Sequence, residues 1–153
     1  MNFVRELFGN YILMSAVSGW LLAQIIKAFT GMFRERSFNF LVLLFSNGGM
    51  PSSHSSAVCA LCTACLIQCG VGSPAFAISA LFAIIVMNDA SGVRYETGEQ
   101  AKLLNRMMSE WFSSDESVDK KFKELVGHTP FQVLVGALLG VLIAVLLALL
   151  MVW

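Results

Sequence analysis

The sequence predicts an all-α membrane protein, a polytopic bundle of about four transmembrane helices with a short re-entrant or interfacial segment and an amphipathic helix. Three observations predict it. Apolar stretches recur at the length of a bilayer span, hydrophobic residues make up 57% of the chain, and charged residues make up only 13%, roughly half the charged share of a soluble domain. At 153 residues the chain fits one domain, 1–153.

The spans follow in order. Residues 11–29 form the first apolar stretch and 55–71 the second. Residues 74–87 form a third, short alone but able to continue, and 131–153, which carries no charge, is the fourth. The run at 40–45 is too brief to cross and reads as re-entrant or interfacial. No small-residue cleavage site follows the first apolar run, so the N-terminus is expected to act as a weak signal anchor.

Charge sets the orientation. Ten basic and ten acidic side chains cancel, which leaves no basic surface for nucleic acid. With four spans, Lys27, Arg34, Arg36, Arg94, Lys102, Arg106, Lys120, Lys121 and Lys123 share one face, and Arg5 alone is opposite. The positive-inside rule places that face in the cytoplasm, for a protein of the plasma (inner) membrane.

Cys59, Cys62, Cys65 and Cys69 have the spacing of a ferredoxin cluster. On a helix, however, they would spread over about 15 Å and could not surround one cluster. Small-residue helix packing is the expectation, with no metal. Gly136 and Gly140 form a G-x-x-x-G suited to close helix approach, within the monomer or in a homodimer. Leu103, Leu104, Met107, Met108, Trp111 and Phe112 recur at helical spacing among Glu99, Lys102, Arg106 and Glu110. An amphipathic helix on the membrane or over a site would look like this. Residues 113–123 read as a charged, exposed connection.

The two histidines both sit at predicted helix starts. The first lies in Gly48-Gly49-Met50-Pro51-Ser52-Ser53-His54-Ser55-Ser56, where glycines permit close backbone approach and serines can cap. A helix start offers N–H groups and a positive dipole end, suited to phosphate; a plain Ser-rich cap fits equally. The second lies in Gly127-His128-Thr129-Pro130-Phe131-Gln132. Thr129, Pro130 and Gln132 compose a capping box with proline at the first helical position, which leaves His128 unexplained. Lys27 and Arg34, seven residues apart, would share a helix face about 10 Å apart, either on phosphate or snorkelling to headgroups. Asp89 closes the third span and needs a partner, Arg94 being the nearest candidate.

Together, Pro51-Ser52-Ser53-His54, Asp89-Ala90-Ser91-Gly92-Val93-Arg94 and Gly127-His128-Thr129-Pro130 resemble the divergent branch of the type 2 phosphatidic acid phosphatases, also described as acid phosphatase/vanadium-dependent haloperoxidase-related proteins. The resemblance spans nearly the whole chain. The wider superfamily uses K-x6-R-P, P-S-G-H and S-R-x5-H-x3-D. Lys27-x6-Arg34 resembles the first with Glu35 for proline, and Ser53 replaces the glycine of the second. The third is split between Arg94 and His128, with Gln132 replacing its aspartate.

The resemblance implies an integral membrane phosphatase-like domain that hydrolyses a phosphomonoester, a lipid phosphate above all, through a phosphohistidine. His128 would be the nucleophile and His54 the proton donor and later the base. Lys27, Arg34, Ser52, Ser53 and Arg94 would hold the phosphoryl oxygens. Gln132 would orient His128 without adding charge, and Asp89 or Glu124 would be the substitute acids. No cofactor or metal is implied. The partners are the bilayer and a phosphorylated lipid or other phosphomonoester. The alternative is a protein that binds or moves a phosphorylated headgroup without catalysis.

Overall fold

The computed structural model describes residues 2–35, 50–111 and 128–151. Among them are six helices and no strand: α1 Asn2–Gly9, α2 Tyr11–Glu35, α3 Ser53–Cys69, α4 Pro74–Ser91, α5 Val93–Trp111 and α6 Pro130–Met151. The side chains of Met32, Phe33, Arg34, Glu35, Val93, Arg94 and Trp111 lie outside this description, as do the expected interfacial run at 40–45, Phe112 and the connection at 113–123.

Local chemistry sets the helix ends. Asn10 separates α1 from α2, its side-chain oxygen accepting from Leu13 N–H at 3.1 Å, the bond expected of an N-cap. Ser52 caps α3 and Ser73 caps α4, where Pro74 occupies the first helical position. Gly70 ends α3 at φ 84°, a backbone region that side chains rarely adopt. The second expected span therefore stops at Cys69. Its 17 residues reach about 26 Å at 1.5 Å per residue, short of a hydrocarbon core of about 30 Å. Three described helical stretches are long and apolar enough to cross, namely Tyr11–Gly31, Pro74–Glu110 and Pro130–Met151. The last of the α4 turns runs into α5 through Gly92, whose N–H donates to Asn88 O at 2.8 Å.

The short helix is the centre. α3 packs against α2, α4 and α6, and its buried residues are small: Ser53, Ser55, Ser56, Val58, Ala60, Ala64 and Cys65. Large apolar residues point outward instead, with Ile78 70% and Leu150 80% exposed. A soluble protein would bury them. A bundle in lipid needs small residues between helices, because tails solvate leucine as well as a core does.

Gly19 of α2 and Gly136 and Gly140 of α6 all lie against α3. A Cβ on Gly19 would stand 3.0 Å from Ala60 Cβ. On Gly136 it would strike the Ser52 carbonyl, and on Gly140 the Ser56 carbonyl, with Ala60 N at 2.9 Å. The G-x-x-x-G is thus buried within the chain. Farther along, Tyr11 donates its buried hydroxyl to Ala144 O at 2.8 Å and packs with Ala60, Ala64, Ala144 and Ala148. The four cysteines lie along α3, Cys65 buried, Cys59 and Cys62 half-buried and Cys69 exposed. Cys59 Sγ approaches Met87 Sδ of α4 at 3.6 Å.

Candidate functional site at one end of the bundle

α3 runs antiparallel to α2 and α4 and parallel to α6, so the end of α2, the start of α3, the end of α4 and the start of α6 meet at one end. Three bonds outside the helices lace them together. Thr30 of α2 donates through Oγ1 to Met50 O at 3.3 Å. Ser52 N–H donates to Gln132 O at 3.3 Å, and His128 N–H donates to Ala90 O at 3.1 Å. These contacts bring the Pro51–His54 motif, the Asp89 motif and the His128 motif into one constellation.

The start of α6 is built as a capping box. Gln132 N–H donates to Thr129 Oγ1 at 3.4 Å, and Thr129 N–H donates to Gln132 Oε1 at 3.2 Å. That second bond fixes which end of the Gln132 amide faces back. The same Oε1 lies 3.3 Å from His128 Nδ1. An amide oxygen only accepts, so in this contact Nδ1 is the donor. His128 is 3% exposed.

At the start of α3 the serines cap and pack. Ser52 Oγ accepts from Ser55 N–H at 3.4 Å and from Ser55 Oγ at 2.9 Å. Ser56 Oγ donates to Gly19 O at 2.8 Å. Both readings of the serine run therefore have something in the geometry. The Ser52 N–H is engaged with Gln132, and the next backbone donor along the helix start is that of the buried Ser53. His54 follows, half-buried.

The cations divide. α2 is continuous through Glu35, as the seven-residue spacing of Lys27 and Arg34 requires. Lys27 is only 3% exposed, so it is folded into the protein. The Arg34 and Arg94 side chains, like Glu124, lie outside the description. Asp89 is half-buried in the last turn of α4, next to the Ala90 carbonyl that holds His128.

The model of the divergent PAP2 family matches residues 8–143, which include every one of these motifs. The chain belongs to the divergent PAP2 family. The uncharacterized membrane protein YuiD of Bacillus subtilis (strain 168) is 39% identical to it over 144 residues, covering 87% of this chain and 90% of that protein. No solved structure matches. As a member of the divergent PAP2 family, the chain is a phosphatase-related integral membrane protein.

For three parts of the candidate site, motif reading shows no tie to the histidines. The Ala90 carbonyl and the Thr30 hydroxyl are joined to it only through tertiary contacts. Gly136 was noticed as a helix-packing residue, and its place against Ser52 ties it to the site.

Proposed function

We propose that this protein hydrolyses a phosphomonoester, a lipid phosphate above all, through a phosphohistidine on His128. The observation that carries the reading is the His128–Gln132 contact at 3.3 Å, with the Gln132 oxygen oriented by Thr129 N–H at 3.2 Å. With Nδ1 donating to that oxygen, a neutral imidazole would present its lone pair at Nε2, the state a nucleophile needs.

In the first step Nε2 attacks phosphorus and the bond to the leaving oxygen breaks. His54 gives that oxygen its proton, so an alcohol departs and the phosphoryl group stays on His128. In the second step His54 takes a proton from water, whose oxygen attacks phosphorus. The P–N bond breaks, inorganic phosphate leaves and His128 regains its lone pair. Lys27, Arg34 and Arg94, with the N–H group of Ser53, would neutralise the phosphoryl oxygens as charge builds on them. Ser52 would act by holding the helix start, and Asp89 by supporting the Ala90–His128 contact. Placed at the end of the bundle, the site receives a headgroup from the leaflet. The basic-residue count favours the cytoplasmic leaflet of the plasma membrane.

The test is hydrolysis of a panel of lipid phosphates by purified protein in detergent, with His128→Ala and His54→Ala alongside. Turnover is expected in the wild type and lost in His128→Ala. Activity that survives His128→Ala rules out the phosphohistidine. A wild type that binds phosphorylated lipid and never turns it over is a binding or transport protein instead.

A further inference from the structure

We propose that Gly136 is a positioning residue of the candidate site, setting the distance between the two histidine-bearing helix starts. This rests on the phosphatase reading for its catalytic consequence, although its geometry can be tested without turnover.

The Gln132 carbonyl is the joint. Its helix ladder partner is the N–H of Gly136, four residues on, and it also accepts from Ser52 N–H at 3.3 Å. Both donors reach it because the α3 backbone at Ser52 lies directly on Gly136, where a Cβ would strike Ser52 O and stand 3.1 Å from Ser52 N. Neither obstacle is the end of a flexible side chain. Relief must come from moving the start of α3 away from α6. The Ser52–Gln132 bond is the first contact to open, and His54 travels with Ser52. Gln132 also holds the His128 ring, so the change reaches both histidines. Gly140 makes a comparable approach one turn along, against Ser56 and Ala60, but it touches no residue of the site.

The experiment compares Gly136→Ala with Gly140→Ala in two ways. Histidine-labelled protein gives imidazole nitrogen resonances from two residues only. The His128 signals are expected to move in Gly136→Ala and to stay at their wild-type positions in Gly140→Ala. In turnover, Gly136→Ala is expected to lose about 10²-fold in kcat, the scale of a 1 Å misplacement, with KM little changed. A purely structural glycine would instead lower stability and activity together, Gly140→Ala at least as much as Gly136→Ala.

Should Gly136→Ala not fold, Ser52→Pro approaches the joint from α3. Ser52 has φ −69°, which proline adopts, and the substitution deletes the N–H that reaches Gln132. His128 resonances unmoved in whichever variant folds overturn the proposal. Failure of both to fold overturns it too, since the seam would then be a folding requirement alone. A wild type without turnover removes the proposed reaction and leaves the imidazole comparison intact.

Discussion

Gln132 stands where the resemblance to the wider superfamily implies an aspartate, and Gln132→Glu isolates what a negative charge contributes there. The substitution keeps the side-chain shape. One carboxylate oxygen can still accept from Thr129 N–H and His128 Nδ1–H, now 3.2 and 3.3 Å from Oε1. In a Ser-His-Asp triad, replacing the acid by its amide costs about 10⁴ in rate, chiefly because the imidazole is left in the wrong tautomer. Here the Gln132 oxygen faces Nδ1, the contact that the right tautomer makes. Only the charge is missing. A hydrogen bond to a charged group contributes about 1.5–3 kcal/mol against about 1 for a neutral one. The difference, about 0.5–2 kcal/mol, favours the cationic ring that forms as phosphorus is attacked, which is roughly 2- to 30-fold in rate. A carboxylate in the first turn of α6 also suits the helix dipole, by about 0.3–1 kcal/mol, so stability should hold or rise. The assay is kcat for lipid phosphate hydrolysis beside a thermal melt in the same detergent. A folded Gln132→Glu no faster than wild type would refute the account of Gln132 as a neutral stand-in that fixes the tautomer.

The other predictions concern the bundle and its charges. Lys27→Met removes a cation buried at the site end of α2 and should lower activity at least tenfold in a protein that still folds. A loss of stability in parallel with activity would make Lys27 a structural residue. Tyr11→Phe removes the 2.8 Å bond to Ala144 O and should destabilise by about 1 kcal/mol at unchanged kcat, read by the same melt. Cys69 is exposed at the opposite end of α3 from His54. With the site facing the cytoplasm, a membrane-impermeant maleimide should label Cys69 in intact cells; labelling only after permeabilisation reverses the orientation.

Much of the fold was legible in the chain because a bilayer leaves an apolar segment one way to satisfy its backbone. The runs at 11–29 and 131–153 became α2 and α6, and the third run continued past Met87 to Ser91. The capping box at Thr129 and Gln132 was equally legible, since all its donors and acceptors lie within four residues. The second span was placed two residues late at each end, because the cap at Ser52 and the halt at Gly70, a left-handed backbone angle, are not disclosed by composition. Its central place was also hidden, since Ser and Ala lower the hydropathy of the helix that every neighbour must approach.

The gathering of the site divides in the same way. Which side chains could serve phosphate followed from the sequence, because residue type sets charge, proton affinity and capping. That Ser52 meets Gln132 and that Ala90 holds His128 were decided by the tertiary structure alone. Those contacts are made by backbone atoms, which every residue carries alike. Only the crossing of one helix over another selects among them.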